Sequence, residues 1–224
     1  MELRKMMKSY VHVVMLGLGI SAIVFSTAQA ADWANYSGSN FDGVSNETGW
    51  SASWPEEGPK ILWKYSLGTG FASMAVSKGR VYATGNIDDK DFLYCLDAAA
   101  GKEIWKKSYP CPLYKKQHEG GPCATSTVEG DAVYTFSKDG DAIRFKAATG
   151  EIVWHKKLNK ELGLKHPTWH FAGSPFVAGD LVIYNAGTYG TALKKLTEAR
   201  HGKAVKAHVV TRLPCRLQSA VKRA

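Results

Sequence analysis

The sequence predicts an all-β protein: a partial β-propeller of about two and two-thirds four-stranded antiparallel blades. Three observations predict it. A stretch of about 49 residues recurs along the chain. Each copy reads as short alternating strands separated by glycine turns. The first two copies close on the same Gly-x-x-x-Trp ending, at Gly101 and Trp105 and again at Gly150 and Trp154.

Taken in chain order, residues 1–30 are expected to be an export signal. "MELRKMMKSY" is a basic start and "VHVVMLGLGISAIVF" an apolar run of 15 residues. "STAQA" ends on Ala28-Gln29-Ala30, the small-residue pattern of a cleavage site. The run is short against the roughly 20 residues a bilayer span needs. Cleavage is therefore expected after Ala30, with no transmembrane span afterwards and a periplasmic or secreted location. Residues 31–60 form an N-terminal lead-in. "ILWKYSL", residues 61–67, reads as an outer strand that would close a propeller ring by joining its last blade.

Residues 61–195 hold the repeats. The three copies are "FASMAVSKGRVYATGNIDDKDFLYCLDAAAGKEIWKK", "GPCATSTVEGDAVYTFSKDGDAIRFKAATGEIVWHKK" and "FAGSPFVAGDLVIYNAGTYGTALKK". Each opens with small residues and a strand ending at a turn glycine: Gly79, Gly130 and Gly179. Gly101 to Gly150, Trp105 to Trp154 and Gly130 to Gly179 each span 49 residues. Gly79 to Gly130 spans 51, and the "CPLYKKQHEGG" loop absorbs the difference. A four-stranded sheet with two apolar faces cannot bury both alone, and stacking successive sheets radially buries them. Glycine allows the tight turn before the fourth strand, and the Trp four residues on is large enough to bridge to the next blade.

Residues 196–224 carry seven Lys/Arg against Glu198 and show no strand or helix period, so a disordered basic tail is expected. The formal charge of +9 is mostly terminal: residues 31–195 hold 19 Lys/Arg against 18 Asp/Glu. A near-neutral repeat region has no basic face to offer nucleic acid, and none is expected as a partner. The tail also replaces the Gly-Trp ending the repeat requires. Codons compatible with residues 196–202, read in another frame, encode Asp-Gly-Ser-Thr-Ala-Trp. The tail is therefore read as out of frame and this copy as truncated. The gene decides: if no frame after Lys195 encodes Asp-Gly-x-x-x-Trp, the idea fails. A partial ring exposes a blade face and a strand edge, so residues 31–224 made alone are expected to aggregate.

"LDAAAGKEIW" and "KAATGEIVW" resemble the tryptophan-docking motif of PQQ-like propeller repeats, Ala-x-Asp-x-x-Thr-Gly-x-x-x-Trp. Residues 31–195 as a whole resemble exported bacterial PQQ-like β-propeller proteins of the outer-membrane-assembly-factor B-like group. Two positions depart from the motif: Ala100 stands for Thr, and Lys146 stands where Asp97 stands in the first copy. The resemblance implies a partial PQQ-like β-propeller acting as a non-enzymatic scaffold that holds protein partners in the cell envelope. It also raises the alternative of a fragment of a quinoprotein-like, PQQ-dependent oxidoreductase.

No residue is assigned to catalysis or metal binding, and no cofactor is expected, PQQ included. "NIDDKDF" offers Asn86, Asp88, Asp89 and Asp91 as oxygen ligands, but without the glycine and terminal Glu of a Ca²⁺ loop. It reads as a solvated blade turn. His166 and His170 in "HPTWH" are four apart, a zinc spacing only on a helix, which Pro167 opposes. That loop is expected to pack Trp169 between blades. "KKQHEGG", Lys115 to Gly121, reads as an exposed loop able to line a binding face. Cys95 reads as a small buried residue. Cys111 and Cys123 flank a loop whose ends could meet in a disulfide.

Overall fold

The computed structural model describes residues 31–116, 118–186 and 191–195. The expected signal (1–30) and basic tail (196–224) lie outside them. The first sheet is β1 (Ala75–Ser77), β2 (Arg80–Ile87), β3 (Lys90–Asp97) and β4 (Glu103–Pro110). The second is β5 (Thr127–Glu129), β6 (Ala132–Phe136), β7 (Asp141–Lys146) and β8 (Ile152–Lys157). One helical turn, α1 (Leu158–Glu161), leads to β9 (Phe176–Ala178), β10 (Leu181–Tyr184) and β11 (Thr191–Lys194). Each sheet is an antiparallel meander with its strands in chain order. The short first strands lie side by side, β1 against β5 and β5 against β9. That is the arrangement of blades whose innermost strands converge on one axis.

The core lies between the sheets, because each strand divides its side chains between two neighbours. Leu93 and Cys95 of β3 pack with Val133, Ile143 and Phe145 of the second sheet. Tyr94 and Leu96, one residue out of phase, pack the other way, against Trp63, Tyr65 and Leu67. The second sheet sends Tyr134, Phe136 and Ala142 toward Val182 and Tyr184 of the third. Cys95 is fully buried.

A tryptophan sits in each of these interfaces. Trp105 Nε1 donates to the Ala147 carbonyl of the second sheet at 3.0 Å, and Trp154 Nε1 donates to the Lys195 carbonyl of the third at 3.1 Å. Trp63 Nε1 does the same to the Ala98 carbonyl of the first, at 3.0 Å. The accepting carbonyls occupy one turn position: Ala98, Ala147 and Lys195 each donate their N–H back to Gly79, Asp131 and Asp180. Gly101 and Gly150 turn the chain at φ +67° and +70° directly beneath a tryptophan. A Cβ there would stand 2.4 Å from the Trp63 ring and 2.6 Å from the Trp105 ring. Gly79, Gly130 and Gly179 also have positive φ, but face open space. Glycine is thus required twice over at the docking turns, by φ and by ring contact.

Residues 61–67 have no strand ladder. Their side chains nevertheless alternate, Trp63, Tyr65 and Leu67 half-buried on the first sheet and Lys64 and Ser66 exposed. Among the described residues no helix is long and apolar enough to cross a membrane.

Candidate functional site

The hairpin turns β2–β3 and β6–β7 bring a buried polar cluster together at one end of the first two blades. Asp88 and Asp89 form the β2–β3 turn with φ of 51° and 58°, the two-residue hairpin geometry that matches strand twist. The Asp89 carbonyl accepts from Cys111 N–H and its carboxylate from Leu113 N–H, both at 2.9 Å, which ties the following loop over the turn. Asn86 and Asp91 therefore depart from the expected solvated turn. Only Asp88 and Asp89 face water, whereas Asn86 and Asp91 are 2 % and 1 % exposed. The covering loop is distant in sequence from the turn it buries.

Asn86 Nδ2 donates to Asp91 Oδ1 and to the Cys111 carbonyl, each at 2.8 Å. From the second blade, buried Lys138 pairs with Asp139 at 2.8 Å. The Cys111 thiol donates to Asp139 Oδ2 at 3.6 Å, and His170 Nδ1 lies 3.1 Å from Asp139 Oδ1. Three buried atoms, Asn86 Oδ1, Asp91 Oδ2 and His170 Nε2, have no hydrogen-bonding partner in the protein. Burial raises the Asp91 pKa, which Asn86 and the nearby Cys111 thiol offset only in part. Burial, with Asp91 and Asp139 nearby, pushes the Cys111 thiol far up. Burial, His166 and Lys138 pull His170 down. Cys111 is thus an inert thiol, since only the thiolate is nucleophilic. Cys111 and Cys123 are both free.

Above the cluster lies an aromatic rim. His166 and His170 stack at 3.9 Å with 12° between planes, and Tyr114 packs on His170 at 4.0 Å. Trp169 is not packed between blades as expected: it is 51 % exposed, with His118 6.5 Å away. The tight turn ahead of His170, whose φ is 64°, directs the smaller imidazole inward and leaves the larger indole outside. His118 also meets Phe71 edge-on at 5.1 Å, and Phe71 is 54 % exposed. An open cleft of about 450 Å³ runs beside them, lined by Thr69, Leu113, Lys115, Lys116, His118 and Glu119. Lys115, Lys116, His118 and Glu119 of the loop expected to be exposed are on the wall of this cleft. The stacked imidazoles lie in parallel planes, and no group of three or more His, Cys, Asp or Glu able to hold a metal occurs among the described residues.

The sheets, docking tryptophans and buried cluster can be set beside known proteins. A family model described as outer membrane protein assembly factor BamB matches residues 39–161 and again residues 112–205. The chain belongs to this family of PQQ-like propeller repeats. The overlap of the two matches reflects the internal repeat. Quinoprotein alcohol dehydrogenase PedH of Pseudomonas putida is 29 % identical over 93 residues, 42 % of this chain and 14 % of PedH. Among solved structures, quinohemoprotein alcohol dehydrogenase from Comamonas testosteroni is 20 % identical with a TM-score of 0.49, covering 75 % of this chain and 26 % of that one. BamB from Moraxella catarrhalis is 17 % identical with a TM-score of 0.37, covering 57 % of this chain and 32 % of that one.

The quinoprotein likeness raises PQQ, a planar cofactor bearing several carboxylates. The buried cluster does not fit it. Its unpartnered amide and carboxylate atoms are acceptors, Asn86 Oδ1 and Asp91 Oδ2, and its buried cation, Lys138, is already paired with Asp139. An anionic ring placed there would face two carboxylates, and burying like charges together is costly.

Proposed function

We propose that this chain is a non-enzymatic PQQ-like propeller scaffold of the cell envelope that holds protein partners. The rim at the turn end of the first two blades is its binding face. The observation that carries this reading is the open, aromatic-rimmed cleft, with Phe71, His118 and Trp169 exposed around it. Phe71, His118 and Trp169 present ring surface to water beside Lys115 and Lys116. Exposed aromatic side chains, Trp above all, are enriched at interaction hot spots. Beneath them Cys111 is held protonated, and Lys138 is paired with Asp139.

A photoreactive residue at position 169, compared with one at the exposed Trp50, tests the reading in living cells. The expected result is one discrete covalent partner from position 169, lost on changing Phe71 to Ala. Equal, diffuse labelling from both positions counts against it.

A second reading, an oxidoreductase of the quinoprotein kind, is favoured by the identity to PedH. In that case PQQ would be held by residues outside the cluster described above. Adding PQQ with Ca²⁺ or a lanthanide to the purified protein separates the two. The scaffold gives no quinone absorbance that survives gel filtration and no alcohol-dependent dye reduction.

A further inference from the structure

Residues 165–170 join two packed points. On one side Leu164 packs against the core of the second and third sheets and donates its N–H to the Asn159 carbonyl at 2.9 Å. On the other, Phe171 is buried, with its ring 5.2 Å from Phe136 and its N–H on the Lys138 carbonyl at 3.1 Å. Between them Lys165 to Trp169 are all exposed, and His170 alone is buried. Its imidazole therefore holds the Trp169 indole at the rim. The φ of 64° at His170 is a conformation that a residue with a Cβ keeps only where its surroundings hold it, so the ring is also what maintains the turn.

The seat suits a neutral ring. His166, from the same loop, stacks on it at 3.9 Å, and Tyr114, from the loop after β4, packs on it at 4.0 Å. From the β6–β7 turn, Asp139 Oδ1 lies 3.1 Å from His170 Nδ1. The same oxygen is already paired with the buried Lys138 ammonium at 2.8 Å, and Asp139 Oδ2 accepts from the Cys111 thiol. One carboxylate thus has a cation before the ring takes any charge. Nε2 is buried with no hydrogen-bond partner. A second proton on the ring would leave a buried N–H without an acceptor and set a new cation beside Lys138 and His166. Burying such a charge is costly. Burial, His166 and Lys138 accordingly hold the His170 pKa down, and Asp139 offsets them only in part.

We propose that His170 is a pH-operated latch: protonation expels its ring, frees residues 165–170 and takes Trp169 off the rim. The ends stay anchored at Leu164 and Phe171, so the movement is local. Its direction follows from linkage. In the released loop the imidazole returns toward the ordinary value of about 6.5, above its docked value. The docked loop is therefore fully stable above that pH. As pH falls below it, the release equilibrium rises by up to about tenfold per unit until the docked value is reached. Letting go of a partner in acid rests on the rim being the binding face proposed above, whereas the movement of the loop does not.

The full chain labelled with 5-fluorotryptophan carries one fluorine on each of its seven Trp, and Trp169→Phe identifies the signal from the rim. Between pH 8 and pH 5 that signal is expected to move and narrow, as a freed side chain's does, in one transition at or below about pH 6.5. The His170 ring protons, identified with His170→Gln, should titrate at the same midpoint. His170→Gln should abolish the transition. His118→Gln removes the other imidazole beside Trp169 and should leave the transition in place. A Trp169 signal that ignores pH, or shifts without narrowing, overturns the latch. So does a transition that survives His170→Gln, vanishes with His118→Gln, or runs apart from the His170 ring protons. Partner capture from position 169 at pH 7.5 and pH 5.5 is read separately: no capture at either pH removes the binding face and leaves the latch standing.

Discussion

Asp91 of the first blade and Asp141 of the second are buried at the same end of adjacent sheets, 1 % and 4 % exposed. Their surroundings are opposite. Asp141 lies 2.7 Å from His155 Nε2, accepts from Ser137 Oγ at 3.0 Å and lies 3.4 Å from Lys157 Nζ. Burial alone would raise its pKa, but these partners outweigh it and hold the carboxyl below its usual value. Asp91 has the Asn86 amide on one oxygen and no hydrogen-bond partner on the other, and burial raises it. The backbone repeats and the side-chain chemistry does not. The shared positions are those that join blade to blade, and the divergent ones lie at the open end, where the candidate site is.

The largest expected effect tests the shared part. Trp105 and Trp154 are equally buried, 9 % and 7 % exposed, and make the same hydrogen bond. Trp105→Ala and Trp154→Ala should each cost about 3–5 kcal/mol of unfolding free energy, as large-to-small core changes do. Urea unfolding followed by circular dichroism checks this. If one variant loses less than a third of what the other does, the two joints are not equivalent and the comparison breaks.

The aspartates come next, and here the blades should separate. Asp141→Asn should cost about 1.5–3 kcal/mol at neutral pH, the range for hydrogen bonds to a charged group. Because the folded pKa is lowered, that stability is present above the ordinary aspartate value near 3.9 and is lost as pH falls through the folded value. Asp91→Asn should behave inversely. A raised folded pKa means the charged form opposes folding. Asp91→Asn should therefore be neutral or stabilising at pH 7, and any gain should vanish by about pH 3, where Asp91 is protonated in both states. Stability profiles of the two variants from pH 3 to pH 8 decide it. Parallel profiles would remove the contrast.

Much of the architecture was legible because turn and docking positions admit few residues. Gly101 and Gly150 need positive φ beneath a ring, and Trp105 and Trp154 need an indole N–H, so spacing alone revealed the repeat. The site was less legible. Asn86 and Asp91 read as solvated because they flank the Asp88–Asp89 turn, and the cover comes from Cys111 and Leu113, more than twenty residues away. One signal was present: Asp91, Leu93 and Cys95 share a period of two, which puts Asp91 on the face that packs against the second blade. Trp169 was misplaced for a related reason. Size suggested burial, but the positive φ at His170 determines which ring turns inward. The free thiols of Cys111 and Cys123 could not be told from a bonded pair by loop composition.

The smallest effect concerns the turn where the second copy departs from the repeat. Asp97 Oδ1 accepts from Ala99 N–H at 3.0 Å and Ala100 N–H at 2.7 Å, bracing the docking turn from within. Lys146 cannot accept. Its turn keeps the backbone bond from Gly150 N–H to Lys146 O at 2.8 Å and adds an ion pair from Nζ to Glu151 at 2.8 Å. That pair is half-exposed on both sides, so it contributes little. Lys146→Asp should restore the internal brace and stabilise the protein by about 0.5–1 kcal/mol. The new carboxylate also lies near Glu151, a repulsion that salt screens, so the gain should be larger at 0.5 M than at 0.05 M NaCl. Asp97→Lys should cost a similar amount, and more at 0.05 M than at 0.5 M NaCl, because Lys102 stands where Glu151 stands in the second turn and would face the new lysine. If Lys146→Asp destabilises the protein at both salt concentrations, the Glu151 pair carries this turn, and the two blades reach the same docking geometry by different means.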